Sequence, residues 1–132
     1  MATVFDLSDS PGVWFEMDGG GRVKLRTIPA ESFKEIRKKT VKKREVFKKV
    51  EGTPWRFEYE DVNEDLQNEL FWDYVIVDWE DFVDQDQKPI PCTKENKSKM
   101  MTRSVMFARF VADSLKTLSD SEAKEAEAAE KN

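Results

Sequence analysis

Five carboxylates crowd one short stretch of this chain: Asp78, Glu80, Asp81, Asp84 and Asp86. Acids at that density could bind a divalent cation or supply paired acid and base groups. The run lacks the sixth-position glycine and the closing bidentate glutamate that an EF-hand loop requires. The chain has no histidine, which removes the commonest general base and the commonest zinc ligand together. Its serines therefore have no histidine partner, and no Gly-x-Ser-x-Gly elbow occurs. The single cysteine, Cys92, cannot form an internal disulfide and fits a reducing compartment. Lys88, Lys94 and Lys97 stand near it in sequence, but a small, inert residue in a proline elbow is the simpler reading. Gly19-Gly20-Gly21 opens no helix and precedes no Gly-Lys-Ser/Thr, so it is a turn and not a phosphate loop. No catalytic residue, no metal site and no cofactor is expected, and the chain reads as a non-enzymatic protein of interaction surfaces.

Charge is the stronger signal. Residues 34–49 hold nine Lys or Arg (Lys34, Arg37, Lys38, Lys39, Lys42, Lys43, Arg44, Lys48, Lys49) against Glu35 and Glu45, a net +7. The whole chain is −5, so the remainder carries −12 and the charge is segregated. Such a segment suits a phosphate backbone or an acidic partner. It also suits a solvated face neutralised by the chain's own acids at 58–65 and 78–86. The low isoelectric point, about 4.9, and the lack of a recognisable nucleic-acid motif disfavour nucleic acid.

The elements that must position these groups follow from periodicity. Val13-Trp14-Phe15-Glu16-Met17 and the alternating Arg22-Val23-Lys24-Leu25-Arg26-Thr27-Ile28 predict a hairpin of strands at 13–17 and 22–28, turned by the glycines. Phe33, Ile36, Thr40, Phe47 and Val50 fall on one stripe, predicting a helix over 30–50 opened by Pro29. Trp55-Arg56-Phe57-Glu58-Tyr59-Glu60 predicts a third strand beside the hairpin. The apolar concentration between Leu70 and Phe82 predicts a central helix over 62–83, although its centre of Val75, Ile76 and Val77 also allows a strand. Thr93 is placed to cap a last helix over 94–118. The expected fold is α+β, a small antiparallel sheet of hairpin plus third strand packed with three helices, as one domain over 1–118. From Ser119 the composition turns acidic and alanine-rich, and 119–132 is expected to be a fraying helix or flexible tail. No apolar run is long enough to span a membrane. Asp6 and Asp9 stand where an export signal would need basic residues, so the expected location is the cytoplasm.

One pattern resembles a known family. Val75-Ile76-Val77-Asp78-Trp79, the acidic turn from Asp84 to Gln87, Lys88-Pro89-Ile90-Pro91, Thr93-Lys94-Glu95-Asn96 and the helix after it look like a tail assembly chaperone of long-tailed bacteriophages or their prophages. The hairpin strand leading into Pro29-Ala30-Glu31 is similar to the usual opening of such proteins, so the likeness covers about residues 13–118. A glycine is usual there shortly after the tryptophan and again before Lys-Pro; here Asp81 and Gln87 stand near those places. The resemblance implies a chaperone of the bacterial host's cytoplasm that binds the tape measure protein and keeps it soluble until tail tube subunits polymerise around it. It also implies self-association, contact with the tail tube protein as a second partner, and absence from the finished virion. Many such genes yield a longer product by frameshifting, and Glu130-Lys131-Asn132 can be encoded by a slippery run of adenines. The candidate contact residues are Trp14, Trp55, Trp79, Met100 and Met101, because aromatic anchors dominate interface energetics and methionines adapt to partners. The competing reading is a nucleic-acid-binding accessory protein that uses the basic segment 34–49.

Overall fold

A computed structural model describes residues 2–131, with side chains described as far as residue 125. The chain is α+β, and its described residues form two small antiparallel sheets and four helices. It divides into two compact units, one formed by the residues up to Ile28 with those from Trp72 onward, the other by Pro29–Phe71.

The first unit holds the expected hairpin, β1 (Val13–Glu16) and β2 (Arg22–Leu25). Gly21 lies at φ +82, and a Cβ there would meet the Phe82 ring at 2.7 Å, so both backbone and packing require glycine. The third strand of this sheet is not 55–60. It is β5 (Ile76–Glu80), which pairs antiparallel with β2 in the order β1-β2-β5. The central helix expected over 62–83 therefore stops at Val75: α2 spans Glu64–Val75, and the β-branched run after it goes to the sheet. Branched side chains lose rotamer freedom on a helix and pack well on a pleated surface, and β2 offers that surface.

Thr93 caps α3 (Lys94–Arg103) by accepting from the Asn96 amide at 3.2 Å. The single helix expected over 94–118 is two. Ser104 leaves helical geometry, donates its own amide to the Met100 carbonyl, and accepts from Phe107 N–H to start α4 (Val105–Lys131). A serine is suited to that role because its hydroxyl satisfies an orphan amide of the new helix. The segment from Ser119 continues as the exposed end of α4, where Thr27 Oγ1 donates to the Glu122 carboxylate at 2.9 Å. The side chains of the remaining acidic tail, 126–132, and with them the Glu130-Lys131-Asn132 run, lie outside the described residues. Val23, Leu25, Val75, Ile76, Trp79, Phe107, Val111 and Leu118 make the core of this unit.

The second unit begins with α1 (Ala30–Thr40), which buries Ile36 and Thr40. The expected helix over 30–50 ends there. Residues Val41–Val50 form β3, paired along its whole length with β4 (Thr53–Val62) as a separate two-stranded ribbon. Lysines favour helix, but that preference is a few tenths of a kcal/mol per residue and yields to tertiary pairing. The strongly β-forming Trp55, Phe57 and Tyr59 need a partner strand, and the two-residue turn Glu51-Gly52, with φ 53 and φ 79, returns β4 onto β3. At the base of the ribbon, Asn63 N–H donates to the Thr40 carbonyl at 2.7 Å. The Gln67 amide reaches Thr40 Oγ1 at 3.2 Å, joining α1 to the start of α2.

Candidate functional site

Alternation along the ribbon sorts its side chains onto two faces. One carries Lys43, Glu45, Phe47 and Lys49 opposite Glu60, Glu58, Arg56 and Pro54. Arg56 bridges Glu58 at 2.7 Å and Glu45 at 3.5 Å across it. The other face carries Val46, Val50, Trp55, Phe57 and Tyr59, with Lys42, Arg44, Lys48 and Asp61 around them. The sequence thus has the apolar/polar alternation of a strand pair with one buried face. That face is open instead: Trp55 is 54% exposed, Phe57 46% and Tyr59 49%. A lone two-stranded ribbon is marginally stable in water, and its exposed aromatic row is the candidate interaction surface.

Positive charge predominates around this face, with Lys42, Arg44 and Lys48 against Asp61. Arg44 is held by Asp61 at 2.6 Å, and that carboxylate raises the guanidinium pKa through its hydrogen bond and charge. Arg37 on α1 pairs with Glu60 at 3.1 Å, and Lys38 with Glu35. Lys42, Lys43, Lys48 and Lys49 have no ion-pair partner among the described residues. The basic segment is therefore split in kind. Lys34, Arg37 and Lys38 are helical, whereas Lys42, Lys43, Arg44, Lys48 and Lys49 are strand residues distributed over both ribbon faces.

The other candidate contact residues lie in the first unit, and the structure does not gather them into one patch. Trp79 is 6% exposed, with Phe82 and Phe107 packed against its ring at centroid distances of 5.4 and 6.0 Å. It is a core residue, not a surface anchor. Trp14 is half-buried on β1 beneath its own cations, Arg22 at 4.3 Å and Lys24 at 5.8 Å from its ring. Met100 and Met101 are half-buried in α3. Sequence reasoning missed Val46, Val50, Phe57 and Tyr59 as companions of Trp55. Their signal was the alternation itself, which pointed to a sheet neighbour that the ribbon does not have.

The residues that first suggested chemistry have structural duties. Glu80 pairs with Arg22 at 2.7 Å, and Asp78 accepts the Trp79 amide at 2.8 Å. Asp84 folds the acidic turn by accepting from the amides of Asp86 and Lys88 at 2.8 and 3.0 Å. Among the described residues no three Cys, Asp or Glu side chains converge on a point that could hold a metal ion. Burial pushes the Cys92 thiol up to about 11, so it is protonated and unreactive near neutrality. No described helix is long and apolar enough to cross a membrane.

The family model described as YdaY prophage protein matches residues 27–132, from α1 through α4 and including the ribbon. The chain belongs to that family and is a phage or prophage protein. No curated protein and no solved structure matches it.

Proposed function

We propose that this member of the YdaY prophage protein family is a tail assembly chaperone, which binds the tape measure protein through the aromatic face of its ribbon. It acts without catalysis in the host cytoplasm and leaves before the virion is complete. The observation that carries this is the uncovered row Trp55, Phe57 and Tyr59, bounded by Lys42 and Lys48. A long helical protein awaiting its tube exposes an apolar stripe over its whole length. An amphipathic helix laid on this face would bury that stripe, and acids beside the stripe would meet the ribbon's unpaired lysines.

Local geometry around the family-like motif also supports the reading. Asp81 and Gln87 have φ 61 and φ 64, the left-handed region that glycine occupies freely. These residues stand near the places where the chaperones usually carry glycine. The motif is moreover one connected structure: Trp79 Nε1 donates to the Ile90 carbonyl, and the Asn96 side-chain Nδ2 donates to the Pro91 carbonyl at 2.9 Å.

Co-expression with the tape measure protein of the same prophage, followed by purification through a tag on this chain in about 300 mM salt, tests the proposal, since such salt screens surface charge. A soluble complex is the expected result. Nucleic acid is the competing ligand, because an aromatic platform flanked by lysines also suits stacked, single-stranded bases. The two differ in salt response. A binder neutralising about six phosphates loses roughly a thousandfold in affinity between about 50 and 200 mM salt, whereas binding by apolar burial changes far less.

A further inference from the structure

Among the described residues the ribbon has two strand edges without a partner as well as an open face, and the edges are chemically unlike. Lys42, Lys43, Arg44, Lys48 and Lys49 against Glu45 leave β3 at net +4. Arg56 against Glu58, Glu60 and Asp61 leaves β4 at net −2. The two-residue turn makes Val50 and Thr53 a hydrogen-bonded pair, which fixes the phase of the whole ladder. The bond from Asn63 N–H to the Thr40 carbonyl at the far end is in the same phase. The backbone groups of Lys43, Glu45, Phe47 and Lys49 therefore point outward on β3, and those of Arg56, Glu58 and Glu60 point outward on β4. Unpaired rows of this length are templates for another strand.

From these edges we infer that copies of this chain assemble head to tail, β3 of one ribbon pairing with β4 of the next. Charge selects this arrangement over a two-fold dimer. Joining β3 to β3 would set +4 against +4, and joining β4 to β4 would set −2 against −2; only the unlike pairing is attractive. It also sets Lys43 and Lys49, which have no ion-pair partner among the described residues, beside the β4 carboxylates, which within one chain already pair with Arg37, Arg44 and Arg56. A heterologous contact closes into a ring or runs on as a filament. Successive ribbons would extend the aromatic face sideways, since edge pairing leaves that face uncovered. The inference stands independently of what the face binds.

Sedimentation of the full chain over a concentration series, at low and high salt, tests it. The expected result is a species of more than two copies whose mass falls as salt rises. Glu58→Lys with Glu60→Lys makes both edges basic and should raise the concentration needed for assembly about tenfold, the scale of two reversed cross-strand charge pairs. Circular dichroism checks its fold, and Lys43→Glu with Lys49→Glu tests the same contact from the other edge. Trp55→Ser should leave assembly intact. A monomer at every concentration overturns the inference, as does a dimer indifferent to both edge variants or an assembly abolished by Trp55→Ser alone.

Discussion

The indole nitrogen of Trp79 donates a 2.6 Å hydrogen bond to the carbonyl of Ile90. This bond ties the end of β5 to the Lys88-Pro89-Ile90-Pro91 elbow. From the elbow the chain passes to Thr93, whose hydroxyl caps α3. The Trp79 ring packs at the same time against Phe82 and Phe107. One side chain thus positions strand, elbow and terminal helices of the first unit. Replacing it by phenylalanine keeps much of the aromatic packing and removes the hydrogen bond to the half-buried Ile90 carbonyl. Trp79→Phe should cost about 0.5–1.5 kcal/mol, the range for one lost hydrogen bond, and urea denaturation followed by circular dichroism measures it.

Backbone strain at two side-chain-bearing residues gives a prediction of opposite sign. Gln87, at φ 64, makes no side-chain hydrogen bond among those of the described residues. Gln87→Gly should stabilise the protein by about 0.5–1 kcal/mol, because relief of the left-handed conformation exceeds the added entropy of the unfolded chain. Asp81→Gly should gain less, since aspartate tolerates that region better. Midpoints of thermal or urea unfolding distinguish the two.

Lys97 is a charge inside the first unit. It is 7% exposed, and its ammonium group reaches the Asp73 carboxylate and the Asp73 carbonyl, each at 3.1 Å. Removing the carboxylate strands the cation, whereas removing the cation frees an acid that still touches water. Asp73→Ala should therefore destabilise by about 1–3 kcal/mol, and Lys97→Met by less. Comparing the two unfolding curves checks the order.

Cys92 supplies a prediction in pH. Its folded pKa is raised to about 11 by burial, from 9.0. The unfolded thiol ionises first, so its contribution to stability is present below pH 9.0 and is lost as pH rises from there through about 11. Alkylation by iodoacetamide at pH 8 should be slow in the folded protein and fast in urea. Rapid labelling of the native chain at pH 8 would contradict this environment.

Much of the first unit is legible in sequence because its signals are local. The alternation of Arg22 to Leu25, the glycine turn, and Thr93 before Asn96 each specify their own structure. The α+β class follows from them. The sequence reading placed 41–50 in a helix because Phe47 and Val50 fall at helical spacing from Ile36 and Thr40. The same residues also serve a strand, and only β4, folded back across Glu51-Gly52, decides between the two. Residues 76–80 were ambiguous for a similar reason: a β-branched run takes whichever neighbour its surroundings supply, and β2 supplies a strand. The open aromatic face was hidden by its own pattern. Trp55, Phe57 and Tyr59 carry the alternation of a covered strand, and nothing in a sequence says that the cover is missing.

The proposed seat of the tape measure protein is that open face. The deciding comparison is between the wild-type chain and the variant Trp55→Thr, Phe57→Thr and Tyr59→Thr, each co-expressed with the tape measure protein. The threonines keep a β-branched side chain at each strand position, so the ribbon should stay paired, which circular dichroism of the variant alone checks. The tape measure protein should then move from the soluble complex to the pellet. Its recovery with the variant at the wild-type yield would contradict the account.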